Sequence, residues 1–257
     1  MSSPGPRHET AAHRAERALE KEARRVYRRY AVEIVETFTL CPYARRARQE
    51  SRTREVVILG AAPDDGELEA AVEHLNEDEG VEIGLVLLPR VDLDPRDFEH
   101  RVQALRRTHQ ARHGGALVAL EAFHPQADAD ASSARLLIPF LRRTPDPTIQ
   151  VARLSVLERL RRGRAGGTGL VDLDALEAAL ADPSSKVDEL LAAPETLHER
   201  IAENNLATFR GPEGDRMCSV LDAIFDDRDR SYEAIDGLQP RPPTWGPSRQ
   251  EGPSRQG

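Results

Sequence analysis

The 257-residue chain contains 39% hydrophobic and 31% charged residues, a composition typical of a globular protein that buries a sizeable core. We find no apolar run near the ~20 residues of a membrane span and no apolar signal segment at the start. Only two cysteines occur, which argues against a disulfide scaffold. We therefore expect a soluble cytoplasmic protein without a membrane partner.

The net charge of −8 is distributed unevenly along the chain. Residues 1–54 contain 13 Lys or Arg against 7 Asp or Glu, so this segment carries +6 and the remainder −14. A basic segment attracts anions, although charges that alternate in sign along a helix also describe a solvated face. Aromatic residues make up only 4%, so nucleic-acid binding is not expected.

The N-terminal part predicts a short tail, residues 1–10, and then a long amphipathic helix from Ala11 to about Phe38. Apolar residues recur at i, i+3 and i+4 from Val26 onward, which places them on one stripe. The earlier turns are rich in charges of both signs, so we expect only the second half of the helix to pack. Pro42 then disfavours further helix.

An alternation of strands and helices follows. The predicted strands are 55–59, 83–88, 116–123 and 148–154, and the predicted helices between the first three are 66–77 and 94–109. The run 83–88 is continuously apolar and stops at Pro89, as expected of a strand buried on both faces. Strand and helix alternation favours right-handed crossovers, so we predict an α/β fold with a mostly parallel sheet of about four strands.

The C-terminal part reads as helical. Helices are predicted at 155–162, 174–181, 185–193, 196–209 and 215–225, with a flexible glycine-rich link at 163–169. From Gly237 the composition is dominated by Pro, Gly, Ser, Arg and Gln, which predicts disorder. We therefore predict a single α/β domain over residues 11–236 between two disordered tails, 1–10 and 237–257.

The first candidate site is Cys41, in Leu40-Cys41-Pro42-Tyr43-Ala44, followed by Arg45. A thiol beside arginines can have a lowered pKa and act as a nucleophile or a ligand. The dipole of the preceding helix would oppose the thiolate, and a small buried residue in a tight turn is the structural alternative. A Cys-Pro pair also occurs in haem-responsive proteins, which leaves a haem or metal sensor open.

The second candidate is His124, in Phe123-His124-Pro125 at the end of the third strand. Ligands of open α/β sheets bind near the carboxyl ends of strands, where an imidazole can act as a base or a metal ligand. Strict alternation points Glu121 to the opposite face from His124. The structural alternative is a histidine satisfied by a backbone carbonyl.

The third candidate is Arg143, in Arg143-Thr144-Pro145-Asp146-Pro147. Two prolines would fix this loop and hold Arg143 for a carboxylate or phosphate, and a rigid surface turn is the alternative. The other histidines, including His109 and His113, are predicted to lie on polar helix faces or helix ends without metal spacing. Cys218 is predicted to be core. No fingerprint identifies a cofactor.

These three loops occur in the same order as in a family found in bacteria and plants, the domain of unknown function 1415. That family shows Leu-Cys-Pro-Phe-Ala, Phe-His-Pro, Arg-Ser-Pro-x-Pro and then Ile-x-Glu-Arg-Asn, which resembles the stretch from Ile201 to Asn205. The resemblance covers about residues 27–209. This chain differs where the family often has a histidine, at Gln150, and where Asn204 replaces the arginine. The resemblance implies no established activity.

Taken together, the motifs predict a small-molecule enzyme or binder for an anionic ligand. Cys41 would be the nucleophile or ligand, His124 the base and Arg143 the anion anchor, with Arg45 and Asn205 as further binding residues. All of them should then surround one cavity. The alternatives are the haem or metal sensor and a non-catalytic interaction protein that uses the basic helix and the tail.

Overall fold

A four-stranded sheet separates two layers of helices in the described part of the molecule. The computed structural model describes residues 10–128, 130–156 and 197–236. The helices are α1 Ala11–Tyr30, α2 Ala44–Gln49, α3 Asp65–Glu77, α4 Pro95–His113, α5 Ala134–Leu141, α6 Leu197–Arg210 and α7 Glu213–Asp236. The strands are β1 Thr53–Val57, β2 Ile83–Leu87, β3 Val118–Phe123 and β4 Thr148–Arg153. A single π-helical turn, Ala31–Glu36, continues α1.

The sheet is mixed, so the prediction of a mostly parallel sheet is wrong. Its order is β1-β2-β4-β3, β1 and β2 are parallel, and β4 is antiparallel to both of its neighbours. The physical reason lies in α5, which the sequence analysis missed. Its eight residues span only about 12 Å, and the chain after it returns to the end of β3, where the backbone N–H of His124 donates to the carbonyl of Arg142 at 3.1 Å. Phe123 at the end of β3 therefore pairs with Thr148 at the start of β4.

Each face of the sheet carries its own apolar core. Alternation along the strands sends Val86, Leu120 and Ile149 to one face, where they pack with α3 and α4. Leu85 and Leu87 face the other way, toward α1, α5, α6 and α7. The candidate cavity described below lies on this second face.

The N-terminal helix packs from Leu19 to its end. Leu19 and Ala23 are fully buried, so the prediction that only its second half packs is wrong. The partner is α7, whose Asp227 accepts hydrogen bonds from Arg25 at 3.0 Å and Arg29 at 2.9 Å. These arginines belong to the charged turns, which therefore hold a second helix as well as facing solvent.

The helix α4 begins with an Asp94 cap and Pro95 in its first turn, as its sequence favours. It ends at Gly114, which adopts a left-handed φ of 66°. The predicted end at His109 was one turn too early, and His113 belongs to the same helix. His109 is only 4% exposed, so the prediction that it lies on a polar face is wrong.

Several predicted elements lie wholly outside the described residues: the helices 174–181 and 185–193, the glycine-rich link 163–169 and the tail 237–257. The tail 1–10 is described only at Thr10, and the helix predicted from Ser155 only at its first residues. Within the described ranges, every helix is too short or too polar to cross a membrane.

Candidate functional site

Two glutamates, a leucine and a glutamine form one row across the second face of the sheet. Glu55 pairs in register with Leu85, Leu85 with Gln150, and Gln150 with Glu121. Directly paired residues project to the same side, so the row crosses all four strands. The two carboxylates stand at its ends, three strand spacings or about 14 Å apart.

A cavity of about 640 Å³ lies over this row. The sheet forms its floor, and α1, the π-helical turn, the segment Leu40–Ala44, α5 and α6 surround it. About half of the lining residues are apolar, and seven carry a charge. This volume is typical of small-molecule sites in proteins, and the charges make the lining more polar than most.

The backbone near Cys41 departs from regular helix at three points. The π-helical turn lines the cavity, and such turns are frequent at functional sites. Among the described residues, Thr39 with a φ of 55° and Ser51 with a φ of 57° are the non-glycine residues of positive φ. Thr39 lies two residues before Cys41, and Ser51 lines the cavity. Local strain of this kind concentrates at ligand sites.

The Cys41 thiol lies in the cavity wall and is partly buried. Burial raises the pKa of this thiol above its usual value, and hydrogen bonds from the backbone N–H groups of Tyr43 and Ala44 offset the rise only in part. The predicted lowering by neighbouring arginines is therefore wrong, because desolvation dominates. The thiol is protonated at neutral pH.

Tyr27 lies in the same wall. Its pKa is raised well above the usual value by burial first, and then by the nearby Tyr30, Glu55 and Cys41. The phenol is therefore a neutral hydrogen-bonding group inside the cavity. Together with the thiol it offers two neutral polar contacts in the cavity wall.

The carboxylates of the cavity are paired with arginines. Arg48 donates to both oxygens of Glu36, at 2.5 and 2.9 Å, and this hydrogen bonding lowers the pKa of Glu36 despite its burial. Arg142 donates to Glu121 at 2.7 Å. Within the cavity these four charges cancel.

The other charged residues that line the cavity are Glu55, Arg54 and Arg28, and Arg28 alone among these three has no ion-pair partner within the described residues. Glu55 lies 3.5 Å from Arg24, and Arg54 lies 3.6 Å from Asp78. Arg28 lines the cavity from α1, is exposed, and forms no ion pair with any residue that the structure describes. An anionic group of a ligand would meet this guanidinium at the opening of the cavity.

Asn205 was predicted as a binding residue, and the structure places it in the cavity wall with Cys41. Its side-chain amide donates to the backbone carbonyl of Leu40 at 3.3 Å, which ties α6 to the Cys41 loop. Arg45 lies outside the cavity lining. Its side chain is 63% exposed and contacts Glu36, with 3.6 Å between the guanidinium and the carboxylate.

His124 lies on the opposite face of the sheet from Cys41. Its Nε2 lies 3.0 Å from the carbonyl of Leu93, its Nδ1 accepts from the backbone N–H of Gln126 at 3.1 Å, and its ring packs against Phe98. Both nitrogens are occupied by backbone groups, so neither can serve as a base for a ligand in the cavity. His124 is therefore a histidine satisfied by backbone groups, which was the structural alternative to a catalytic base.

Arg143 also lies away from the cavity lining. Its Nε donates to the carbonyl of Ala127 at 2.7 Å, and its guanidinium lies over the ring of Phe140. Burial lowers its pKa, while nearby Cys218, Asp128 and Asp222 act in the opposite direction. The predicted gathering of a thiol, an imidazole and a guanidinium around one cavity is therefore wrong. Of the five predicted site residues, Cys41 and Asn205 line the cavity.

Sequence reasoning missed Glu55, Arg28 and the Glu36–Arg48 pair, and it named Glu121 and Gln150 without placing them in a site. A usable signal existed, because Glu55, Glu121 and Gln150 are polar residues inside strands. Such residues mark a face that is not filled by apolar core.

Comparison with known proteins gave one positive result. The model of a family described as protein of unknown function, DUF1415, matches residues 22–163, which is more than half of the chain. The chain belongs to the DUF1415 family. Neither the curated proteins nor the solved structures gave a match.

The DUF1415 match contains all four strands, the last nine residues of α1 and α2 to α5, but it ends before α6. Ile201, Ala202 and Asn205 of α6 nevertheless line the cavity. The wall that faces the sheet is thus partly formed by residues C-terminal to the matched DUF1415 region.

Proposed function

We propose that this DUF1415 protein binds a small organic molecule with an apolar body and one anionic group. The observation that carries the proposal is the cavity of about 640 Å³ between the sheet and α1, with Cys41 in its wall. Its size lies in the range of about 300–1,000 Å³ that is typical of small-molecule sites.

The apolar part of the ligand is supported by the floor and the sides of the cavity. Ile83 and Leu85 of β2 form the middle of the floor, and Val35, Ile138 and Leu141 contribute to the sides. Burying a ligand against such surface is favourable by roughly 25 cal/mol per Å² of apolar area. Gln150, Tyr27 and Cys41 supply neutral polar contacts that would orient it.

The anionic part is supported by Arg28. The other lining charges are compensated by the pairs described above, so an incoming anion competes with no fixed carboxylate for this guanidinium. Arginine binds carboxylates and related planar anions with two parallel hydrogen bonds. In this proposal Arg28 binds the anionic group, in place of Arg143, which the sequence predicted for that role.

The protonated state of Cys41 favours binding over thiol catalysis. A thiolate is the reactive form of cysteine, and burial disfavours it here. We therefore assign Cys41 the role of a ligand contact.

The fluorescent probe 1-anilinonaphthalene-8-sulfonate tests this proposal, because it combines aromatic rings with one sulfonate. We expect one saturable site, a loss of at least tenfold in affinity for Ala119→Phe, which fills the floor, and a loss of several-fold for Arg28→Gln. The matched controls are Ala70→Phe and Arg106→Gln, two exposed positions on α3 and α4. Both controls should bind like the wild type.

Circular dichroism and thermal unfolding establish that each variant is folded. Ala202→Phe fills the same cavity from α6 and replaces Ala119→Phe if that substitution disturbs β3. Unchanged probe affinity in a folded cavity-filling variant would overturn the proposal. So would an equal loss in the control variants.

A further inference from the structure

We infer that Glu73, His109 and His113 form a binding site for a divalent transition-metal ion of the Zn²⁺ class. Glu73 comes from α3 and the two histidines come from α4. These helices cover the face of the sheet opposite the cavity, so the inference stands apart from the proposed ligand site.

The three side chains already converge. Glu73 Oε1 lies 3.0 Å from His109 Nδ1 and 2.7 Å from His113 Nε2. One ligand atom from each residue lies within 4.8 Å of the others. His109 and His113 are four residues apart, so they project from the same face of α4. The sequence predicts that this helix ends at His109, so the two histidines are not recognised there as an i, i+4 pair on one helix.

The donor set matches the chemistry of zinc. Imidazole nitrogens and a carboxylate oxygen bind Zn²⁺ at about 2.0–2.2 Å, and two histidines with one glutamate leave a fourth position for water. The His113 side chain is 26% exposed and that of Glu73 20%, so solvent can reach this position. Buried His109 fixes the inner ligand, with 3% of its side chain exposed.

Two features of the surroundings weaken the affinity of this site for Zn²⁺. Arg112 Nη1 lies 3.7 Å from Glu73 Oε1 and repels a cation, but its side chain is 49% exposed and also binds Glu69, so it can turn away. A metal on His109 Nδ1 also moves the ring proton to Nε2, which is buried and makes no hydrogen bond within the described residues. An unsatisfied donor of this kind weakens binding by roughly tenfold or more.

The test uses the full-length chain without a purification tag, stripped of metal, with Cys41→Ser and Cys218→Ser introduced to remove thiol ligands. Zn²⁺ affinity is measured at pH 7.5 by competition with a chromophoric chelator, and Co²⁺ binding by its visible absorption. We expect one equivalent to bind. His113→Gln and Glu73→Gln should each weaken Zn²⁺ at least tenfold, whereas His100→Gln, at an exposed position of the same helix, should leave it unchanged.

Arg112→Gln gives a result of opposite sign. Removing the neighbouring positive charge should tighten Zn²⁺ several-fold, an effect that a purely structural histidine pair would not show. His113 is partly exposed, so His113→Gln should fold, and thermal unfolding without metal verifies this. The inference is overturned if folded His113→Gln binds Zn²⁺ as tightly as the parent, or if Co²⁺ gives no visible band at millimolar concentration.

Discussion

Arg228 of α7 donates a hydrogen bond to Asp146 at 3.1 Å, and both side chains are almost completely buried. Tyr232 donates to the other carboxylate oxygen at 2.6 Å, and Arg228 reaches the carbonyl of Pro89 as well. The loop of two prolines is thus fastened to the C-terminal helix. Within the segment Arg143–Pro147, Asp146 makes the contacts that fix the loop to α7, and Arg143 packs over the ring of Phe140.

Asp146→Asn should destabilise the protein by about 1–3 kcal/mol, because it removes one of the two carboxylates that contact buried Arg228 within the described residues and leaves only Asp229, at 2.7 Å. Tyr232→Phe removes one hydrogen bond from the same carboxylate and should cost only about 1 kcal/mol. Urea unfolding measures both. A loss below about 1 kcal/mol in Asp146→Asn would show that Asp229 alone compensates the Arg228 charge.

Gly84 of β2 lies beneath Leu75 of α3. A Cβ at this position would lie 2.9 Å from the nearest atom of the Leu75 side chain, which is itself buried. Gly84→Ala should therefore cost about 1–3 kcal/mol through overpacking. Gly115→Ala, where a Cβ meets nothing within 4 Å, is the matched control and should change the free energy of unfolding little. Equal effects at the two glycines would refute this account of the packing.

Tyr27 and Tyr30 should make the protein unstable at high pH. Burial raises the pKa of both phenols, so the folded state holds their protons more tightly than the unfolded state. Their contribution is complete below the usual tyrosine pKa of about 10 and is lost as the pH rises through it toward the folded-state values. The free energy of unfolding should fall from pH 9 to 11, and less steeply in Tyr27→Phe. Identical slopes in the variant and the wild type would contradict this.

Cys41 should react slowly with iodoacetamide. In a Cys218→Ser background, its rate at pH 8 should lie below that of the same protein unfolded in urea, because burial raises the pKa of the thiol. The rate should keep rising above pH 9. A plateau below pH 8 would instead indicate an activated thiolate and reopen catalysis by this residue.

Much of the fold could be predicted from local signals. The apolar run of β2 and the Asp94-Pro95 start of α4 identify their elements directly. The direction of β4 could not be predicted, because the run from Thr148 onward has the same pattern in a parallel and an antiparallel strand. That direction depends on the short helix α5, whose Ser133 cap went unrecognised.

The site was predictable only in part. The Cys41 motif and Asn205 do lie together, and alternation correctly separated Glu121 from His124. The same alternation excluded His124 from the cavity once Glu121 was inside it. The row from Glu55 to Glu121 depends on strand order and register, which pairing across distant segments decides.

The π-helical turn Ala31–Glu36 has a consequence for how Cys41 is aimed. A wide turn holds one residue more than an α-helical turn over the same rise. Deleting a single residue here, such as the exposed Val32, would therefore return the turn to α-helical winding and leave the downstream chain in place, whereas a deletion within α1 would rotate everything downstream by about 100°. The thiol would then stay in the cavity wall, because this turn absorbs the one residue by which the chain before Cys41 exceeds a regular α-helix.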